Sequence, residues 1–281
     1  MMKTFKLTKV VLALVVLGLT FTACTENETS DSVSEEQNVS EVVQSAEMDQ
    51  ISAALEDFII DIYEEQEDAE ARGMSVARKT LPDCVTITLV AQQNLRELTV
   101  DFGDDGCLVR GHMYRGQIML TYTRNPQAQQ VTLGYVLNDF YFDAKQVIGS
   151  NSILKELSNA NGNPQFTHTV DLTVVWPNGF QASRDGQIVR EWIEGFGSGE
   201  FTDNVWEVSG YWNANFASGN SHNYESVLPL RKEATCYHFV SGSIDAQRTF
   251  FGGVLDYGSG ECDNLASFTF NNGTTIDIVL N

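Results

Sequence analysis

The chain has 281 residues, 42% hydrophobic and 10% aromatic, with a formal charge of −21. That length suffices to bury a full core without metals or oligomerisation. Its 38 acids against 17 bases disfavour nucleic acid, which needs a basic footprint, and disfavour lying flat on an anionic lipid surface.

Residues 1–23 read as a secretory leader. Lys3, Lys6 and Lys9 give a basic start, Val10 to Leu19 is apolar apart from Gly18, and Thr20-Phe21-Thr22-Ala23 precede Cys24. The apolar run is too short to span a bilayer, which takes roughly 20 residues. A Cys directly after small residues resembles the bacterial lipobox. That resemblance implies cleavage before Cys24 and acylation of its thiol and amine, a multiple-chain anchor of the palmitate type. Residues 24–45 are rich in Ser, Thr, Asn and acids, and are expected to form a flexible tether. From Cys24 to Ala71 there are 16 acids and no Lys or Arg, which reads as a solvated acidic spacer. Acids soon after the Cys resemble the signal that sends lipoproteins of Bacteroidota to the outer leaflet of the outer membrane, and hence to the cell surface.

An amphipathic helix is expected over residues 46–72. Met48, Ile51, Leu55, Phe58, Ile59 and Ile62 recur at helical spacing, and Gly73 supplies a stop. Asp57, Asp61, Glu64, Glu65 and Glu67 fall mostly off that stripe, so the helix should cover a sheet face with its acids in water.

Residues 80–281 change to period two. Phe166, His168, Val170, Leu172, Val174 and Trp176 alternate with Thr167, Thr169, Asp171 and Thr173. Similar runs occur at 85–89, 98–100, 118–123, 131–142, 187–193, 205–212, 236–240 and 275–280. Asp105-Gly106, Asn161-Gly162, Asn178-Gly179, Asp185-Gly186 and Asn272-Gly273 read as turns between them. The fold class is therefore all-β antiparallel, a sandwich or a curved, barrel-like meander, with one N-terminal helix.

One motif occurs twice. Val100-Asp101-Phe102-Gly103 reaches Cys107 as Leu255-Asp256-Tyr257-Gly258 reaches Cys262, each as aliphatic, Asp, aromatic, Gly, three residues, Cys. Cys84 precedes the first copy and Cys236 the second. With Cys24 acylated, four cysteines allow three pairings, and the repeat favours Cys84–Cys107 and Cys236–Cys262. Metal-type Cys or His spacing is absent from the sequence, so no metal and no cofactor is expected. Asp101, Asp104 and Asp105 read as turn residues rather than a calcium loop, because the second copy lacks two of the carboxylates.

Arg190-Glu191-Trp192, Gly195, Thr202-Asp203-Asn204, Val208-Ser209-Gly210, Pro229-Leu230 and the closing Leu255–Gly258, Cys262–Ala266 and Ile276-Asp277-Ile278 resemble a family of Bacteroidota cell-envelope lipoproteins. The resemblance implies an acidic helical N-terminus, a two-disulfide β domain and no established activity.

His112, His168, His222 and His238 are scattered, and His168 reads as a core residue. Glu191, Glu194, Asp203 and Glu207 could hold a carboxylate pair for a hydrolase. Trp192, Phe196, Phe201, Trp206, Tyr211 and Trp212 cluster around Gly195, Gly197 and Gly199. Trp206, Val208 and Trp212 share a parity that places them in the core. Trp192 and Tyr211 are the candidate ligand-binding residues, since sugar faces stack on exposed rings. The expectation is a lipid-anchored, non-catalytic envelope protein whose partner is the membrane and, beyond it, a glycan or an envelope protein. A surface glycan-binding lipoprotein is the first alternative and a carboxylate-dependent hydrolase the second.

Overall fold

A computed structural model describes residues 28–74, 81–249 and 251–280, with side chains from Ser40 onward. The leader, residues 1–23, and residues 24–27, Cys24 among them, lie outside the described residues. Two compact units divide at Gln37 and Asn38, and the second, Asn38–Asn281, holds the sheet and most of the helix.

Helix α1 spans Glu28–Ala71. Fourteen strands follow: β1 Thr86–Gln92, β2 Leu95–Asp101, β3 Cys107–Val109, β4 His112–Thr123, β5 Gln130–Phe142, β6 Lys145–Glu156, β7 Gln165–Val175, β8 Gln181–Glu194, β9 Val205–Phe216, β10 Ser221–Glu233, β11 Ser241–Arg248, β12 Phe251–Ser259, β13 Leu265–Phe270 and β14 Thr275–Val279. All belong to one antiparallel meander, in which each strand pairs with the next. The exception is local: β2 and β3 share one edge of β4, β2 along Gln117–Thr123 and β3 along His112–Tyr114. The all-β meander with one helix is thus the fold, and a two-sheet sandwich is not.

The helix starts earlier than its apolar periodicity indicates. It runs back to Glu28, and Glu41, Val42 and Ser45, inside the expected tether, are buried. The expectation of one apolar stripe with acids in water is also corrected. Between Glu41 and Glu70 only Asp68 is exposed, so most of the helix is enclosed, its C-terminal half staying open along one side. Its acids meet basic and hydrogen-bonding side chains that point inward from the sheet. Glu41 accepts from Ser218, Asn220 and His222, Glu47 accepts from the Trp176 indole, and Asp49 pairs with Arg184. Asp57 pairs with Arg190, Asp61 with Arg110, Glu64 with Lys155, and Glu70 with Arg96 in a two-pronged contact. Contacts from β2 to β11 show the sheet wrapped around the helix. No helix among the described residues is long and apolar enough to cross a membrane.

Apolar packing fills the space between these pairs. Phe58 meets Phe102 and Tyr114 with ring centroids 5.4 and 5.6 Å apart, and Tyr63 meets Tyr122 edge-on at 4.9 Å. Strand β7 follows the predicted alternation, with Phe166 through Val174 buried on alternate positions. Asn161-Gly162, Asn178-Gly179, Asn272-Gly273 and Asp105-Gly106 lie in turns with the glycine at positive φ. Asp185-Gly186 does not turn: it lies inside β8, where a Cβ on Gly186 would come within 2.3 Å of the Tyr211 carbonyl oxygen. Residues 236–240 are not a strand either. Their carbonyls are used locally, the Lys232 ammonium donating to those of Cys236 and Tyr237.

Both disulfides pair as the repeat indicates, Cys84–Cys107 and Cys236–Cys262. The two copies match in detail. Asp101 accepts the Gly103 N–H at 2.8 Å and Asp256 accepts the Gly258 N–H at 2.8 Å, while Phe102 and Tyr257 are both buried. Asp101 also accepts from Gln117, so it serves a turn, as expected.

Candidate functional site

The described residues form a small cavity around Glu56, an open cleft beside the helix, and a groove on the outer face of the sheet.

The interior lies around Glu56. Burial raises its carboxyl pKa to about 8; Arg190 works against that rise and Asp57 adds to it. His168 is fully buried, its Nε2 sits 2.8 Å from the Tyr135 hydroxyl, and burial with the nearby Arg184 lowers its pKa to about 3. His168 Nδ1 and Glu56 are 3.7 Å apart, but both are neutral at pH 7, so this is not an ion pair. Lys232, held down to about 8 by burial, lines a cavity of about 20 Å³ with Asp49, Glu56 and Arg190 and with apolar side chains that include Ile188, Leu230 and Phe239. A space that small takes about one water. His168 is therefore the core residue its alternation predicts.

The cleft, of about 640 Å³, has two unlike walls. One is the C-terminal half of α1, contributing Asp61, Glu64, Glu65 and Asp68. The other is the end of β8, with Trp192, and the segment after it, with Phe196, Phe201 and the glycines 195, 197 and 199. These glycines all have positive φ, so the loop can fold back over a short distance. Gly195 is further constrained: a Cβ there would approach the Asn204 Oδ1 to 2.5 Å. Trp192 is half-buried, donates to the Glu194 carbonyl, and meets Phe196 edge-on at 5.0 Å. Phe196 is 56% exposed. The Arg110 guanidinium lies 4.7 Å over the Phe201 ring while pairing with Asp61. Burial raises the Asp61 pKa to about 6, against the pull of Arg110.

The groove, of about 480 Å³, lies outside β9–β11. Two neighbouring rows of side chains cross the strands there. Gln187, Tyr211, Glu225 and Asp245 are successive cross-strand partners, and so are Asp185, Asn213, Asn223 and Gln247. Every member is an amide, a carboxylate or the phenol. Tyr211 is 59% exposed. Gln247 donates to Asp245 at 2.7 Å, and Asn213 to Asp185 at 3.2 Å, which fixes the planes of both amides. Next to the rows β10 loses register with both neighbours between Glu225 and Arg231. Such bulges bend a strand and re-aim its side chains. Ser226 repairs the ladder there by accepting the Gly210 N–H.

The aromatic cluster of the sequence is therefore divided. Trp206 and Trp212 are buried at 6% and 4% exposure, as their parity predicts. Trp192 lines the cleft and Tyr211 the groove, so the two candidate ligand residues do not share a site. Of the carboxylate quartet, Glu191 and Glu207 are cross-strand partners on β8 and β9, Glu191 also accepting from Asn161 and Asn163, while Glu194 pairs with Arg231 and Asp203 accepts from Ser198. Asn213, Asn223, Glu225, Asp245 and Gln247 were not legible as a group, because cross-strand register is not written in any one strand. Comparison with protein-family models, curated proteins and solved structures finds no match to the chain.

Proposed function

We propose that this chain is a lipid-anchored, non-catalytic protein of the bacterial cell envelope, held at the outer membrane through Cys24, whose β domain binds a neutral glycan at Tyr211. The leader pattern supports the anchor, and two disulfides fit an oxidising compartment outside the cytoplasm. The observation that carries the glycan reading is the pair of cross-strand rows around an exposed phenol ring. A sugar presents apolar C–H faces and a rim of hydroxyls that donate and accept. A ring flanked by fixed amides and carboxylates answers both. The outer faces of β7 and β9, with Thr169, Asp171, Asn213 and Asn215 exposed, are polar in the manner of a solvated sheet.

Two measurements test this. Cys24→Ala should abolish incorporation of a clickable fatty acid; undiminished label would remove the anchor. Titration of the full chain in detergent with a panel of neutral oligosaccharides should perturb tryptophan fluorescence, since Trp212 adjoins Tyr211. Tyr211→Ala should weaken that binding roughly tenfold, given about 1–1.5 kcal/mol for a ring contact, with the melting temperature nearly unchanged. Absence of binding across the panel would withdraw the glycan and leave the anchor standing.

A further inference from the structure

We propose that the Tyr211 groove is a track for an extended, uncharged glycan chain, a β-1,4-linked oligosaccharide of several units lying across the strands between the two rows of side chains. The track rests on the glycan reading of that groove and adds the ligand's length, shape and direction.

Strand geometry sets the width. The rows stand two residues apart on every strand, which is about 7 Å at the usual rise per residue. Between them lie Trp212 and Tyr224, which line the groove while their stacked rings are buried in the core, so backbone forms the floor. Two polar walls and a backbone floor make a trench about as broad as a pyranose ring with its hydroxyls. A ring laid flat in it turns both hydroxyl-bearing edges to polar side chains, and the exposed Tyr211 ring meets its C–H face.

Register sets the length. Cross-strand partners sit about 4.8 Å apart, close to the length that one unit adds to an extended β-1,4-linked chain. Both rows cross β8 to β11 without a register shift. On β7 they continue as Thr169 opposite Gln187 and Asp171 opposite Asp185. From β7 to β11 the rows cover about 19 Å, room for roughly four units at one per strand. They end at β12, where Asp245 and Gln247 meet Val254 and Gly252. Asn271 and Gln247 exchange hydrogen bonds of 3.0 and 3.3 Å at that end. An α-1,4-linked chain coils, and leaves such a line after a few units.

The side chains select the charge of the sugar. Neither row holds a Lys, Arg or His, so nothing in the trench answers a carboxylated or sulfated unit. Amides and carboxylates both bond hydroxyls, the amides in both directions and the carboxylates as acceptors. Asp185 and Asp245 already accept from Asn213 and Gln247. The Glu225 carboxylate, beside Tyr211 on β10, has no hydrogen bond or ion pair to another described residue. Its two oxygens are left for the hydroxyls of the unit that covers Tyr211.

The test is calorimetric titration of the full chain in detergent with glucose, cellobiose and cellotetraose, and with maltotetraose as the coiled isomer. Cellotetraose should bind roughly tenfold more tightly than cellobiose, glucose should be weakest, and maltotetraose should gain nothing over cellobiose. Glu225→Gln should weaken both cellobiose and cellotetraose. Gln187→Ala, on β8 beyond the two strands that hold cellobiose, should weaken cellotetraose several-fold, with cellobiose binding and the melting temperature unchanged. Equal affinity for glucose and cellotetraose, equal affinity for the two tetramers, or indifference of cellotetraose to Gln187→Ala overturns the track and leaves a single sugar site at Tyr211. Another neutral sugar that binds where cellotetraose fails at about 1 mM overturns it in the same way. If no saccharide binds, the glycan reading falls and the track falls with it.

Discussion

Glu56 is a carboxyl that stays protonated near neutral pH because burial outweighs the pull of Arg190. Its pKa in the folded chain is about 8 against 4.5 for the free group. The raised value means that its contribution to stability is complete below pH 4.5 and is lost as the pH climbs toward 8. Glu56→Gln keeps the shape and removes the titration. The substituted chain should therefore gain on the parent by roughly 4–5 kcal/mol between about pH 4.5 and 8, at 1.36 kcal/mol per pH unit. Thermal melts of both proteins across that range read the difference directly, and a pH-independent gap would show that Glu56 ionises normally in the fold. Asp49 and Asp61, each raised by burial to about 6, push the parent's stability in the same direction. His168 opposes them at acid pH, since its lowered pKa costs stability as the pH drops below about 6.5. At this scale the sequence was readable where one strand decides: His168, Trp206 and Trp212 were placed by alternation alone. It was not readable for Glu56, because nothing in α1 itself says that a sheet closes over that side.

The helix is the element whose character changed most between sequence and structure. Its apolar spacing is real, but its acids are matched by Arg110 in the β3–β4 turn and by Lys155, Arg184 and Arg190 on distant strands, the Arg184 and Arg190 pairs being buried. Removing one partner of a buried ion pair costs about 3–5 kcal/mol, because the other charge is left in a poor medium. Several such losses together exceed the total stability of an ordinary domain, roughly 5–15 kcal/mol. A chain beginning at Asn38 should therefore melt cooperatively, and one beginning at Gly73 should not fold. Circular dichroism on the two truncations checks this; a cooperative melt from the shorter chain would mean that the sheet carries its own core. The strands were largely legible, since half-burial writes period two into them. Residues 236–240 misled because their apolar composition serves packing beside a disulfide, and Asp185-Gly186 misled because that glycine answers a close approach of β9 rather than a turn.

Over the whole molecule, one motif used twice places a disulfide near each end of the meander, and the matching Asp-to-Gly hydrogen bonds show that the repeat is structural and not only textual. Pairing was legible because the repeat gave each cysteine a local mate. The candidate surfaces were less so: the cleft needs α1 beside the 195–204 segment, and the groove needs four strands in register. The enclosed helix has a further consequence, in time rather than in space. The helix is synthesised before the strands, yet Glu47 waits for Trp176 and Glu41 for His222, which lie 129 and 181 residues later. Contacts so far apart in sequence form late, because long loops must close before any such contact repays them. An acidic, partly apolar segment thus spends most of its synthesis without the strands that will hold it. Until β10 and β11 arrive, the negative charge that later becomes internal keeps the waiting segment soluble.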